Sequence, residues 1–282
     1  MTWETIDSQK FLIYSLKTFP YLAIDWVCNS NVDDKKEFIK NSSLFENTNA
    51  IDNKNIEELS KPDKVIVASH SIQHCSDLLL HGNNDVDVLI EKPLYPNLSD
   101  FEILSEKKKR RTFLNLEFYN AFFISDFVSQ IRSLDIKNIS FFWHDPLTEN
   151  RDMEESKNSE IFSSIFMDQL LHVMSIAKLM KLDCTNCKQI KVFNNHSKPD
   201  GSINICADLG GVKVEISLSR FAKKRERIID INLGEISLDF TSESIIKKKG
   251  KRVEEISASG RLFPISQTLS EFINYPNRSN AF

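Results

Sequence analysis

The chain has 282 residues, 41% of them hydrophobic and 27% charged, which excludes an intrinsically disordered tail and a protein built of membrane spans. Lys and Arg number 36 against 40 Asp and Glu, so the net charge of −4 disfavours a protein whose main partner is nucleic acid. No apolar run approaches the roughly 20 residues of a membrane span, and no charged segment followed by an apolar one opens the chain. We therefore expect a cytoplasmic protein, with neither nucleic acid nor a membrane as its partner.

Strands and helices alternate in the first part of the chain. The predicted strands are short continuous apolar runs, as buried parallel strands are. They cover Leu22–Cys28, Val65–Ala68, Val86–Ile90 and Phe113–Phe118. The predicted helices cover Phe11–Phe19, Asp33–Ser42, Ile56–Leu59, Ser71–Leu80 and Leu98–Arg111. This order predicts an α/β domain over residues 1–117 with a doubly wound parallel sheet.

The pattern changes after residue 118. A helix over Ala121–Ser133, a strand over Ile136–Trp143, a polar loop over Arg151–Ser159 and a long apolar helix over Ser159–Lys181 are predicted. Short alternating strands follow, separated by turn signals. They cover Gln189–Phe193, Ser202–Leu209, Val212–Ser219, Arg227–Leu233 and Glu235–Phe240. We expect a second, α+β domain over residues 118–282 with an open, mostly antiparallel sheet.

The five cysteines are odd in number and irregularly spaced, which is typical of a reducing compartment rather than of a disulfide framework. Cys184 and Cys187 have the spacing of a metal knuckle or a redox pair. A structural zinc site needs four ligands, and no second pair follows at finger spacing. We interpret the two as loop thiols and expect no metal.

Polar residues follow two neighbouring predicted strands. Ser69 and His74 come after the strand Val65–Ala68, and Glu91 and Lys92 end the next one. Ligands of open parallel sheets lie outside the carboxyl ends of the strands. Topology alone therefore predicts that these four side chains share one crevice.

The same residues resemble a known family, the Gfo/Idh/MocA oxidoreductases. That family has an Ala-Thr-Pro-x-x-x-His turn, a helix, and a strand that ends in Glu-Lys-Pro. Ala68 and His74 match the turn, with Ser69 in place of Thr and His70 in place of Pro. The run Glu91–Pro93 matches the strand end in full.

The second half carries a weaker match to the same family. Its helix motif, Asp-x-Gly-x-His-x-x-Asp, corresponds to Asp168 and His172, with Leu170 at the Gly position and Ser175 at the last Asp. The i and i+4 spacing places Asp168 and His172 on one helix face. The predicted antiparallel sheet is also consistent with the family's second domain.

The resemblance implies that the first domain is Rossmann-like. It also implies hydride transfer between a nicotinamide cofactor, either NAD or NADP, and a sugar-like or other small hydroxy or carbonyl substrate. Lys92 is implied to orient the substrate and stabilise an oxyanion, and His172 to act as general acid/base with Asp168 orienting it. Pro93 is implied to fix the turn, through a cis bond. The cofactor-binding residues implied are Ser69, His70, His74, Glu91, Lys92 and Pro93.

Substrate contacts are expected from Lys92 and His172, and Trp143 is predicted to line the substrate pocket because it ends its strand. Lys92 and His172 are expected to meet in one cleft. Family members are usually oligomers through the open face of the second sheet, so a homo-oligomer is a further expectation.

Several features favour an alternative. The family's Gly-x-Gly-x-x-Gly phosphate loop should follow a first strand near the N-terminus, yet the first glycine is Gly82 and no strand is predicted before Phe11. Cys28, Asn29 and Ser30 stand where an acidic residue is expected for the ribose diol. The alternative is a non-catalytic relative that keeps the fold for binding or assembly, and a reductase of imines or tetrapyrroles stays open as a third hypothesis.

Two of the candidate histidines, His74 and His172, also have a structural interpretation. His172 lies among apolar neighbours on its helix and fits a core residue equally well, and His74 fits a helix-start cap. The basic runs of residues 107–111 and 247–252 are interpreted as solvated surface, the second at a hairpin tip.

Overall fold

The structure, a computed structural model, describes residues 16, 19, 26–29, 49–52, 64–69, 71–81, 86–93, 112–149, 157–158, 164–194, 201–257 and 264–274. Three predicted helices, Asp33–Ser42, Ile56–Leu59 and Leu98–Arg111, lie outside these residues, as does His70. Most of the predicted helix Phe11–Phe19 and of the loop Arg151–Ser159 also lies outside them.

The strands, in chain order, are β1 (Trp26–Asn29), β2 (Asn49–Asp52), β3 (Lys64–Val67), β4 (Asp87–Glu91), β5 (Thr112–Asn115), β6 (Asn138–His144), β7 (Thr148–Glu149), β8 (Lys157–Asn158), β9 (Cys187–Asn194), β10 (Ser202–Leu209), β11 (Val212–Ser219), β12 (Glu226–Ile231), β13 (Ile236–Asp239), β14 (Ser244–Lys249) and β15 (Arg252–Ser257). The α-helices are α1 (His74–His81), α2 (Phe122–Ile131), α3 (Leu171–Leu179) and α4 (Pro264–Asn274).

The chain divides into two compact units. Met1–Asn115 and Ile265–Phe282 form the first, and Leu116–Pro264 forms the second. The first unit holds the parallel strands, and the second holds the large sheet. Helix α4 follows the second unit in sequence yet belongs, from Ile265 onward, to the first.

The first unit contains the predicted parallel sheet. β3, β4 and β5 pair in parallel in that order, and β1 pairs in parallel with β2. The central strand β4 is buried on both faces: Leu89 packs with Leu269 and Phe272 of α4, and Ile90 packs in the cluster that contains Leu78 of α1. Burial on both faces explains why β4 is a continuous apolar run rather than an alternating one.

The second unit is built on an eight-stranded sheet of order β15-β14-β13-β12-β6-β11-β10-β9. All neighbours in it are antiparallel except β6 and β11. One face, including Phe141 of β6, packs in the same core cluster as Phe127 of α2 and Ile176 of α3. The other face carries residues such as Phe142, which is 37% exposed. The α/β fold with a separate, mostly antiparallel sheet is therefore confirmed.

Three elements differ from the sequence-based prediction. The long helix over Ser159–Lys181 was expected to be uniform, but residues Phe166–Leu170 form a π-helical turn before α3. For the hairpin β14–β15 only the tip, within residues 247–252, was predicted and not the two strands, and helix α4 was not predicted. Among the described residues, none of the helices is long and apolar enough to span a membrane.

Candidate functional site

The carboxyl ends of β3, β4 and β5 form one edge of the parallel sheet. Val67 pairs with Ile90, and Glu91 pairs with Asn115, so the three strands end at nearly the same level. Ser69 follows β3, and Lys92 follows β4. Since ligands of such sheets bind beyond the carboxyl ends of the strands, this edge is the candidate cofactor-binding region.

His74, the first residue of α1, links two of these strand ends. Its Nδ1 lies 2.6 Å from the carbonyl oxygen of Pro93, and its Nε2 lies 2.8 Å from that of Ser69. The residue is 1% exposed. A neutral imidazole has one N–H donor, so both bonds are complete at once only when the ring carries two N–H groups, as imidazolium does. Each ring nitrogen thus has a backbone acceptor, and the geometry fits a residue that positions the turn.

The turn that His74 holds contains Lys92 and Pro93. The peptide bond between them is cis, as the resemblance implied. Lys92 is half-buried at the strand end. The carbonyl oxygen of Pro93, fixed by His74, ties this turn to the start of α1.

Asn115 is a residue of this edge that sequence reasoning missed. It ends β5, is 4% exposed, and its Nδ2 donates to Oε1 of Glu91 over 2.5 Å. The available signal was a lone polar residue in the apolar run from Phe113 to Leu116. Within the described part of the chain, neither Asn115 Oδ1 nor Ser69 Oγ has a hydrogen-bond partner, although both atoms are buried.

In the second unit, Asp145 follows β6 and gathers polar side chains around its carboxylate. Arg227 donates to it twice, from Nε and Nη2, each over 3.0 Å. Arg225 Nε lies 3.2 Å from Oδ1, and Gln169 Nε2 donates to Oδ2 over 3.1 Å. Two guanidinium groups on one carboxylate make this a structural centre, because a buried charge needs both a partner and hydrogen bonds.

Beside this centre, His172 lies in an aromatic cluster. Its ring stacks on Trp143, with centroids 5.1 Å apart and planes 11° from parallel, and meets Phe118 edge-on at 5.2 Å. The guanidinium carbon of Arg227 lies 4.7 Å from the centroid of Trp143. His172 is 3% exposed. Its ring orientation is thus fixed by packing.

Asp168 lies on the π-helical turn rather than on a regular α-helix. Its Oδ2 forms an ion pair with Nη2 of Arg220 at 3.4 Å. The predicted shared α-helical face of Asp168 and His172 is therefore interrupted, because a π turn has more residues per turn than an α-helix. Such turns occur frequently at functional sites.

The structure thus brings together Ser69, His74 and Pro93 in one cluster and Trp143 with His172 in another. Lys92 belongs to the first unit and His172 to the second, and their action on one substrate stays a prediction. The catalytic, cofactor and substrate assignments of the sequence analysis likewise stay predictions.

No protein-family profile matches the sequence, and no curated protein is significantly similar to it. Solved structures do share its fold. A UDP-N-acetylglucosamine 3-dehydrogenase from Acidithiobacillus ferrooxidans superposes with a TM-score of 0.70 at 14% identity, over 94% of this chain and 84% of that one. A 3-ketoreductase from Actinomadura kijaniata, in complex with NADP and TDP-benzene, gives 0.74 at 12% identity, over 95% and 85%. A super-repressor mutant of Gal80p from Saccharomyces cerevisiae gives 0.69 at 15%, over 95% and 79%.

The structural likeness extends over nearly the whole chain, at identities of 11–15%. The neighbours have a parallel-sheet domain and a domain with an open sheet, as this chain has. The resemblance found in residues 91–93 and in Asp168 and His172 is therefore confirmed at the level of the fold. The chain has the two-domain fold of the Gfo/Idh/MocA-type dehydrogenases.

Proposed function

We propose that this protein is an NAD(P)-dependent oxidoreductase that transfers a hydride to or from a sugar-like or other small hydroxy or carbonyl substrate. The observation that carries the proposal is the Glu91-Lys92-Pro93 turn at the carboxyl end of β4, held by His74. The neighbours named as a dehydrogenase and as a ketoreductase solved with NADP support the same reaction class.

The strand-end edge fits the nicotinamide end of such a cofactor. Glu91 ends β4, Lys92 follows it, and the amide of Asn115 donates to Glu91 from β5. The buried Ser69 Oγ and Asn115 Oδ1, which have no hydrogen-bond partner in the described residues, suit ribose hydroxyl or carboxamide groups. No glycine precedes Gly82, so the pattern Gly-x-Gly-x-x-Gly does not occur in the residues that lead up to β3.

The bound cofactor supplies or accepts the hydride. The Nζ of Lys92 orients the substrate oxygen and stabilises the negative charge that develops on it. The imidazole of His172, held by its stacking on Trp143, takes or gives the hydroxyl proton, and Asp168 orients it. Trp143, which is 2% exposed, contributes to this site by packing against His172.

A second candidate is a protein that binds ligand or partner without catalysis. Two observations favour it: the glycine-free first 81 residues, and the structural likeness to a super-repressor mutant of Gal80p. Such a protein would share the fold of the oxidoreductases but would not turn over a substrate.

The two candidates are separated by titrating NADH and NADPH against the protein and following nicotinamide fluorescence, then by assaying turnover with a panel of sugars and nucleotide sugars. The oxidoreductase proposal expects binding, turnover, and loss of about 10³-fold or more of the turnover in Lys92→Ala. Lys213→Ala, an exposed lysine on β11, is the matched control and should keep full turnover. Binding without turnover supports the second candidate, and unchanged turnover in Lys92→Ala removes Lys92 from the mechanism.

A further inference from the structure

Asn115 is costly for folding in a way that its packing does not offset. It is 4% exposed at the end of a buried strand, and its Oδ1 is buried with no hydrogen-bond partner in the described residues. A buried polar atom left unsatisfied costs about 1–3 kcal/mol. Unsatisfied buried groups of this kind call for an explanation other than stability.

The hydrogen bond of Asn115 identifies what the residue does. Its Nδ2 donates to Oε1 of Glu91 over 2.5 Å, across the paired strands β4 and β5. Because the amide nitrogen faces the carboxylate, the orientation of the amide is fixed by chemistry: the reverse orientation would set two oxygens against each other. A carboxylate can accept about four hydrogen bonds, so the bond from Asn115 orients the Glu91 side chain without using up its acceptor capacity.

We propose that Asn115 is a positioning residue of the cofactor edge, whose amide holds the Glu91 carboxylate in the orientation that accepts hydrogen bonds from the cofactor's ribose hydroxyls. The inference rests on the proposed function, because it needs a nicotinamide dinucleotide at this edge. It adds to the predicted site a residue on a third strand, so that β3, β4 and β5 each contribute one polar group. Asn115 acts on the ligand through Glu91.

The test compares NADH and NADPH dissociation constants of wild type, Asn115→Ala and Asn115→Asp, measured by fluorescence between about pH 5 and about pH 8. Asn115→Ala removes the donor, and we expect about tenfold weaker binding at every pH. Asn115→Asp sets two carboxyl groups in contact, which repel when both are ionised and share a proton when the pH is low. We expect this variant to bind at least about tenfold more weakly near pH 8 and to recover toward wild-type affinity near pH 5.

The recovery of cofactor affinity near pH 5 is the result that a merely structural role of Asn115 would not produce. Asn204→Asp, the same substitution on the exposed side of β10, is the matched control and should follow the wild-type pH profile. If Asn115→Asp does not fold at neutral pH, Asn115→Ser removes the long amide without adding charge, and it should bind as Asn115→Ala does. Wild-type affinity in Asn115→Ala or Asn115→Ser, or an Asn115→Asp profile parallel to wild type, overturns the inference and leaves the proposed function standing. Failure of the wild type to bind either cofactor overturns both.

Discussion

The bonds of His74 to two backbone carbonyls predict a large stability effect. In His74→Leu the side chain keeps roughly its volume but loses both ring nitrogens, so the carbonyl oxygens of Ser69 and Pro93 lose their ring partner. At about 1–3 kcal/mol for each buried acceptor left unsatisfied, the free energy of unfolding of the first unit should fall by about 2–6 kcal/mol. His74→Gln offers one amide donor group within reach of one carbonyl, and it should lose about half as much.

The free energy of unfolding is measured in urea, with hydrogen exchange of the β4 amides as the readout, because these amides report on the first unit alone. His144→Gln is the matched control. His144 ends β6 in the second unit, its side chain is partly exposed, and its Nε2 lies 2.9 Å from Ser217 Oγ. We expect that control to change stability by less than about 1 kcal/mol and to leave exchange in β4 unchanged. A loss below about 1 kcal/mol in His74→Leu would refute the argument that these two bonds hold the turn.

Three further predictions concern the second unit. Asp145→Ala leaves Arg227 without its carboxylate and should lower the free energy of unfolding by about 3 kcal/mol in urea, whereas a loss below about 1 kcal/mol would contradict the role given to Asp145. Leu233 is 89% exposed with φ of 59°, a conformation that asparagine adopts more readily, so Leu233→Asn should raise the urea midpoint by the equivalent of about 0.5 kcal/mol, and a lowered midpoint would count against it. Burial first, then Cys187 and Asp183, raises the pKa of the Cys184 thiol, so iodoacetamide should modify it more slowly at neutral pH than an ordinary thiol and catch up only as the pH rises. Peptide mass spectrometry follows this, and Asp183→Asn, which keeps the acceptor oxygen but removes the charge, should speed the modification.

The parallel sheet could be predicted because its signal is local. The run Val88–Ile90 has no polar residue, and a strand buried on both faces has no other pattern available. The turn of the β14–β15 hairpin was predicted from its basic run, but its strands were not. They carry lysines and glutamates on a half-exposed surface, so charge hides the alternation. Helix α4 was missed although Ile265, Leu269 and Phe272 recur at helical spacing, and these side chains pack with Leu89.

The residues of the candidate site also divide into those that could be predicted from the sequence and those that could not. The position of Lys92 could be predicted because it belongs to a short motif at the end of an apolar strand. The parallel register of β3 and β4 then sets this strand end beside the end of β3. Asn115 was missed because its partner lies on another strand, 24 residues away, and a single polar residue has no periodicity. The partners of His74 are backbone carbonyls, which no residue type reveals. The π turn before His172 is equally invisible in sequence, since it differs from an α-helix only in hydrogen-bond register.

The choice between a catalytic and a binding-only protein depends on what the strand-end edge is for. A protein that kept this fold for assembly alone would gain no stability from a buried amide on β5 whose oxygen has no hydrogen-bond partner among the described residues. Such an amide reduces the apolar burial available to a sheet that already depends on α1 and α4 for cover. It holds the side chain of Glu91, the group that meets a nicotinamide ribose under the proposed function. The lack of glycine in the first 81 residues concerns the pyrophosphate end of the cofactor, so it does not argue against the role proposed for Lys92. We therefore favour the oxidoreductase proposal over a fold kept only as a scaffold.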